Sequence, residues 1–392
     1  MSTEPDLLIV GGGAIGLCIA EAASRRGLRV VLLERDRPGT RASWAGAGML
    51  NLRPWPKARP DLPDYHDLLG LSMTLHAQLA ARLKEEVGLD TGYRACGALE
   101  LIADAKHAAN AARLLEGCRA RNVQAERLTP AQARELEPGL DPTGLLEVLH
   151  LPQDGQVRNP HLLRALIAAL KSREVPIREG CDVADLWVEA GRVRGVITRD
   201  GARIAGAQVV VAAGAWTCQF PELVKAAPRA GKIEPVRGQI VCFQARPGIA
   251  TRLLTAGHHY LVPRADGVVL AGSTTERTGY EVATTPAGQG ELRAFAEALL
   301  PELKRAPPLR GWAEVRPGLK GRHPLMGPVP GLRGCFIASG HYRNGLGLAP
   351  VTGEIIAALA ANAAPPIEIS PWKPKPPEIS SAPEDHEEEP VL

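Results

Sequence analysis

The sequence predicts an α/β fold in which a Rossmann-like βαβ unit is joined to an α+β part built on an antiparallel sheet. Three observations predict it. A glycine-rich turn separates two short apolar runs within residues 6–34; residues 231–272 break into successive strand-like runs with turn signals; and a second glycine-rich stretch, residues 340–350 (GHYRNGLGLAP), leads into an apolar helical segment near the other end of the chain.

The first unit meets each requirement of a dinucleotide fingerprint. Residues 6–10 (DLLIV) form an apolar strand-like run, Gly11, Gly13 and Gly16 follow directly, and residues 14–26 read as a helix that stops at Gly27. A second run, residues 30–33, ends at Glu34. Gly11 allows the tight strand-to-helix turn, Gly13 lets the backbone approach a pyrophosphate, and Gly16 lets the helix pack closely on the strands. The helix opens at Ala14 and Ile15, where unpaired N–H groups are offered to phosphate. Glu34 is placed to take a ribose 2′-hydroxyl, and its carboxylate repels a 2′-phosphate, which disfavours NADP. The stretch 340–350 is built to close over the same cofactor, and that pairing points to a flavin, FAD, in place of a plain nicotinamide.

Further elements follow in order. Residues 42–50 (ASWAGAGML) are small enough to pass close to a ligand, and the proline-rich residues 51–63 cannot be regular helix. Leu68, Leu71, Leu75, Leu79 and Leu83 mark the buried face of an amphipathic helix. Helices are predicted around 105–122 and 129–136, the latter with Thr129 and Pro130 as cap and first turn. A helix over 162–173 precedes paired strands over 181–197 that turn at Ala190 and Gly191, and a buried strand, 208–211, runs into Ala212, Ala213, Gly214, Ala215 and Trp216. Strands are expected at 239–244, 260–263 and 268–270, and helices at 285–300 and 351–359. Beyond Pro365 the chain is proline-rich and then acidic, so 365–392 is expected to be a disordered tail.

Composition excludes several classes. The 392 residues carry a formal charge of only +3 with scattered basic residues, which gives no footprint for nucleic acid. Seven dispersed cysteines without a C-x-x-C pair or a Cys/His cluster fit a reduced, cytoplasmic setting without structural metal. No signal peptide is expected, and no apolar stretch approaches the ~18 residues of a membrane span.

Together these segments resemble the D-amino acid oxidase family of FAD enzymes, and within it the bacterial glycine oxidases of thiamine biosynthesis. The resemblance runs over residues 6–359 and rests on VGGGAIG with Glu34, ASWAGAGML, HYLVPR at 259–264, VRPGLKGRHPLMG at 315–327 and GHYRNGLGLAP. It implies a discontinuous FAD-binding domain (1–85, 150–220 and 312–364) and a substrate domain (86–149 and 221–311). It further implies that Gly11, Gly13 and Gly16 hold the pyrophosphate and Glu34 the adenosine ribose. Ser43, Ala47, Gly48 and Met49 would line the phosphates and flavin ring, Val183 would meet the adenine, and Ala213, Gly214 and Trp216 would run beside the cofactor. Arg343, Asn344, Gly345, Leu346 and Gly347 would place N–H groups near flavin N1 and the C2 carbonyl, where reduced flavin is negative.

For the substrate, Arg316 matches the family arginine that grips the α-carboxylate, and Tyr260 the tyrosine beside it. A guanidinium suits that task because its planar fork binds a carboxylate in two places and stays charged. His258 matches a rim position and Arg343 a second cation near the flavin edge, while His341 is expected to be structural. Met49 and Thr275 would complete the pocket; Thr275 stands where the resembling oxidases carry methionine, so a shorter, more polar pocket is expected. No cysteine lies in 312–318, so FAD should be dissociable.

The reaction implied is dehydrogenation of a small amino acid, such as glycine, sarcosine or a small D-amino acid, with O2 reduced to H2O2 and iminoglycine handed over to thiazole synthase. Three other readings remain at this point: a D-amino acid dehydrogenase using a non-oxygen acceptor; a flavoenzyme modifying tRNA nucleosides, against which the lack of a basic stripe argues; and a non-enzymatic nucleotide-binding protein that keeps the fold alone, against which the Arg316 and Tyr260 pair argues. A homo-oligomer is compatible with the sequence and not specified by it.

Overall fold

The computed structural model describes residues 4–52, 62–321 and 323–377. Most of the proline-rich connection therefore lies outside the described residues, as does the acidic end of the expected tail.

Two sheets organise the chain. The first has six strands in the order Leu325–Pro328, Cys335–Ser339, Val209–Val211, Leu7–Val10, Val30–Leu33 and Ile177–Arg178, all parallel except Leu325–Pro328. Its central strands are buried on both faces, which is why they read as unbroken apolar runs without alternation. Helices Ala14–Arg25, Asn159–Ser172 and Ala349–Ala360 cover one face. The other face packs on a three-stranded antiparallel sheet, Val183–Glu189, Arg192–Thr198 and Arg203–Ala205.

The second sheet has eight strands in the order Pro308–Gly318, Glu234–Gln244, Val268–Gly272, His259–Pro263, Leu253–Ala256, Ala98–Ile102, Glu147–Leu151 and Glu126–Leu128. It is antiparallel except where Leu253–Ala256 meets Ala98–Ile102. Side chains alternate between its faces as the pleat requires. Val241, Phe243, Leu261, Val269 and Ala271 pack beneath helix Pro286–Leu299. Ile240, Cys242, Tyr260, Val262 and Leu270 face the opposite way, toward Ala47 and Met49.

Local sequence explains the boundaries it could explain. Thr129 and Gln132 form a reciprocal capping box at the start of Pro130–Leu136, each side chain taking the other's backbone N–H. Asp64 and Asp67 do the same for the long helix Tyr65–Val87.

Two features bear on the expected boundaries. Residues 308–318 are one continuous strand of the eight-stranded sheet, paired along its length with Glu234–Gln244. A boundary at 312 would cut this strand, because backbone pairing ignores the change from charged to glycine-rich sequence. Residues 365–377, within the stretch expected to be tail, are described, and Ile369 and Trp372, 2% and 0% exposed, pack onto the helices Tyr65–Val87 and Ala349–Ala360. Two large apolar side chains outweigh a disorder-prone average composition.

Candidate active site

At the N-terminal end of the parallel sheet's first helix, backbone approaches backbone with no room for a side chain. A Cβ on Gly11 (φ +110°) would lie 2.4 Å from the Ala212 carbonyl oxygen, and one on Gly16 would lie 1.8 Å from the Gly11 oxygen. Gly13 occupies the N-cap in extended conformation with no side-chain cap. The N–H groups of Gly13, Ile15 and Gly16 find no protein acceptor among the described residues, so the helix end is free to bind an anion. Ser43 Oγ accepts from the Ala14 N–H at 2.8 Å and brings residues 42–50 to the same place.

Glu34 closes this end of the site. Its Oε2 accepts from the Gly12 N–H at 2.6 Å and its Oε1 from the Asp36 N–H at 2.8 Å, which fixes the carboxylate at the end of strand Val30–Leu33. The Glu34 carbonyl accepts from the Cys181 N–H at 2.9 Å, and so sets the buried Val183 two residues away from it. Ala213 and Gly214 (φ +55°) form the turn after Val209–Val211, held by Ser339 Oγ on the Gly214 carbonyl at 3.0 Å. Trp216 stacks on Tyr280 with centroids 5.3 Å apart, and the Arg35 guanidinium lies 4.4 Å from its ring.

The second glycine-rich segment is anchored by residues that sequence reasoning missed. Ser72 Oγ donates to the Gly347 carbonyl at 2.6 Å, and His76 Nε2 lies 3.1 Å and 3.2 Å from the Leu346 and Gly347 carbonyls. Both side chains sit on the buried face of Tyr65–Val87, in the stripe read from its leucines as core. With those carbonyls turned toward the helix, the N–H groups of Gly345, Leu346 and Gly347 have no protein acceptor among the described residues. Asn344 donates to Tyr65 Oη at 2.8 Å. His341 is buried against Thr352 Oγ1 at 3.0 Å, and burial pushes its pKa down to about 3, so it is a neutral packing residue, in keeping with the structural role expected of it.

The residues expected to meet the substrate lie on the face of the eight-stranded sheet that carries Tyr260. Tyr260, Gly272, Ile240 and Trp312 lie in one register row, and Arg316 shares the face two pleats further along its strand from Trp312. Two glycines clear this face. A Cβ on Gly238 would meet Arg316 Nη2 at 2.0 Å, and one on Gly272 would meet the Tyr260 ring at 2.5 Å, so both long side chains lie flat across the sheet. Arg316 Nη1 donates to the Thr274 carbonyl at 3.2 Å, and the Tyr260 hydroxyl lies close enough to the guanidinium to favour its charged form. Burial holds Arg316 below the ordinary arginine pKa, an effect that neighbouring Tyr260 opposes and Arg343 reinforces. Among the described residues no carboxylate forms an ion pair with it. A half-buried guanidinium with no carboxylate partner among the described residues is a receptor for an anion.

The remaining positions fall around this centre. Arg343 is exposed and donates to the His258 carbonyl at 3.0 Å, which ties the glycine-rich segment to the turn before His259–Pro263. Met49 packs into the cluster that holds Tyr260 and Ile240. Thr275 is exposed, whereas its neighbours Ser273 and Thr274 are buried, and Ser273 Oγ has no hydrogen-bond partner among the described residues.

The arrangement is one of two N–H cradles and an anion receptor, and no group of three or more metal-ligating side chains occurs among the described residues. No helix among them is long and apolar enough to cross a membrane. Residues 6–359 match the family described as "DAO: FAD dependent oxidoreductase". A glycine oxidase of Pseudomonas aeruginosa is 35% identical over 370 residues, covering 94% of this chain and 98% of the relative. The crystal structure of glycine oxidase from Geobacillus kaustophilus superposes with a TM-score of 0.86 at 30% identity, over 95% of this chain and 99% of that one. A bifunctional protein ThiO/ThiG of Trichormus variabilis is 33% identical over 90% of this chain, which spans 52% of that longer protein.

Proposed function

The chain belongs to the DAO family of FAD-dependent oxidoreductases and is an FAD-dependent amino acid oxidase, and from that premise we propose that its substrate is glycine or another small amine such as sarcosine or a small D-amino acid. The observation that carries the proposal is Arg316, a guanidinium laid across a glycine-cleared sheet face with no carboxylate among the described residues to pair with.

In this reading Arg316 takes the substrate α-carboxylate through two parallel hydrogen bonds, and the Tyr260 hydroxyl supplies a third contact. Holding the carboxylate at two or three points fixes the direction of the Cα hydrogen, which replaces a costly search of orientations. The chemistry that FAD would supply when bound is acceptance of that hydride and, with a proton from solvent, two-electron reduction of O2 to H2O2. The residues that fit FAD are Gly11, Gly13, Gly16 and Glu34 for the diphosphate and ribose, Ser43, Ala47, Gly48 and Met49 alongside, Val183, Ala213, Gly214 and Trp216 beyond them, and Arg343 to Gly347 at the flavin end. The neutral substrate amine supplies its own lone pair, so no protein base is needed; the buried His341, already bonded to Thr352, is not used as one.

The imine product would pass to a thiazole synthase, a reading supported by relatives in which ThiO and ThiG share one chain. Seven free cysteines fit a cytoplasmic location.

The test is anaerobic mixing of the FAD-loaded protein with glycine, sarcosine and D-alanine. Bleaching of the flavin band with at least one of them, and one peroxide per turnover on admitting air, is expected. A band that persists with all three overturns the reading.

A further inference from the structure

The segment from Ser43 to Gly48 has its carbonyls gripped from behind by four donors drawn from three parts of the chain. The Asn159 amide donates to the Ser43 and Gly46 carbonyls, both at 2.8 Å. The Trp312 indole donates to the Ala45 carbonyl at 2.9 Å, the Arg264 guanidinium to the Ala47 carbonyl at 2.7 Å, and the Val157 N–H to the Gly48 carbonyl at 2.8 Å. A trans peptide is planar, with its C=O and the next N–H pointing opposite ways. Fixing the Gly46 and Ala47 carbonyls therefore aims the Ala47 and Gly48 N–H groups away from Asn159 and Arg264. Neither N–H has a protein acceptor among the described residues.

This segment borders both halves of the site. Ser43 Oγ touches the first turn of Ala14–Arg25, and Ala47 and Met49 pack with Tyr260. Two costs accompany the arrangement. The Asn159 Oδ1 is buried without a hydrogen-bond partner, so the amide keeps its two donor contacts at the expense of its acceptor. Arg264 is only 7% exposed and has no ion pair among the described residues, its other contacts being Gln156 Oε1 at 2.5 Å and the Val157 carbonyl at 3.0 Å. The nearby Asp266 is engaged by Arg158. Burial, reinforced by Arg158, pulls the Arg264 pKa down to about 10, still cationic at neutral pH. A neutral amide could hold the Ala47 carbonyl at a smaller desolvation cost. What the charge adds is a fixed positive field along the Ala47–Gly48 peptide.

We propose that Arg264 is a positioning residue that, with Asn159, aims the Ala47 and Gly48 N–H groups at the flavin edge and biases the site toward the reduced, anionic cofactor. The proposal rests on the FAD reading above. It concerns cofactor affinity and potential, and substrate does not enter.

The experiment compares wild type with Arg264→Met, Arg264→Gln and Arg264→Lys. FAD affinity of each apoprotein is measured by quenching of flavin fluorescence, the two-electron potential by dye equilibration, and the unfolding temperature alongside. R264M should lose tenfold or more of the preference for reduced over oxidised FAD, a fall of about 30 mV for a two-electron couple. R264K should recover most of that preference because the charge is kept. R264Q should bind FAD better than R264M yet keep the low potential. Should R264M fail to fold, the R264Q and R264K potentials decide the matter by the same contrast. Potentials equal to wild type in every folded variant, with only the unfolding temperature lowered, overturn the proposal and leave the FAD reading standing. A wild-type apoprotein that does not bind FAD sinks that reading first.

Discussion

The guanidinium of Arg316 lies over the Cα of Gly238, one strand away and two residues along, so closely that a methyl at 238 would meet Nη2 at 2.0 Å, Cζ at 2.3 Å and Nη1 at 2.4 Å. Val236 is the residue directly opposite Arg316, so the side chain leans along the neighbouring strand to reach this gap. The space in which the guanidinium lies is thus made by the absence of a side chain on an adjacent strand, and under the proposed function this is the receptor for the substrate carboxylate. Gly238→Ala should push the guanidinium off the sheet without touching the cofactor segments. We expect normal FAD content with KM for glycine raised roughly tenfold to a hundredfold, about 1.4–2.8 kcal/mol of lost binding. Steady-state kinetics and a visible spectrum of the variant check it, and an unchanged KM would mean that the fork does not need this position.

Arg316 itself separates charge from shape. Arg316→Met removes both and should lower kcat/KM by about two orders of magnitude or more, roughly 3 kcal/mol. Arg316→Lys keeps a charge but not the planar fork, and should recover only part of that loss. Full activity in R316K would show that a point charge suffices and that bidentate geometry plays no part.

His76 links acid stability to the second glycine-rich segment. Burial pushes its pKa down to about 4, an effect the Leu346 and Gly347 carbonyls only partly oppose, against 6.5 for the free side chain. The folded state therefore binds fewer protons than the unfolded chain between these values, and stability falls as pH drops through that window. From pH 7 to pH 5 one such group costs about 2 kcal/mol. His76→Gln keeps a donor for the carbonyls and does not titrate. Denaturant unfolding of wild type and H76Q at pH 7 and pH 5 should give a smaller drop for the variant, and equal drops would show that His76 does not set this dependence.

Backbone constraints were the most legible part of the sequence, because only glycine satisfies them. Gly11 and Gly16 announce a close approach whatever surrounds them, and the apolar runs at 7–10, 30–33 and 209–211 announce a sheet covered on both sides. Arg316 and Tyr260 were singled out through resemblance, whereas the reason they can lie flat, Gly238 and Gly272, was written in the same strands and passed over. Ser72 and His76 could not be read locally. Each looks like a polar interruption in a leucine stripe, and its meaning comes from carbonyls more than 250 residues away. The strands Ala98–Ile102, Glu147–Leu151 and Leu253–Ala256 were missed for a related reason: they are short, and their partners rather than their composition make them strands.

Trp372 tests where the folded chain ends. Its indole is 0% exposed amid Leu52, Leu68, Leu69, Met326, Leu348, Val351 and Ile355, and its Nε1 has no hydrogen-bond partner among the described residues. Leu68 and Leu69 belong to the helix that carries Ser72 and His76, and Leu348 follows Gly347, so this plug braces both sides of the contact that orients residues 345–347. Trp372→Ala should cost about 3–5 kcal/mol, the usual range for removing a buried large aromatic, and should weaken FAD binding as the brace loosens. Trp372→Phe gives up some volume but also removes the unpaired N–H, and should cost less than half as much. Chemical unfolding and flavin-fluorescence titration of the two variants check both limbs. A chain truncated after residue 364 that unfolds at the wild-type denaturant concentration would falsify the bracing role, because it lacks Ile369 and Trp372 together.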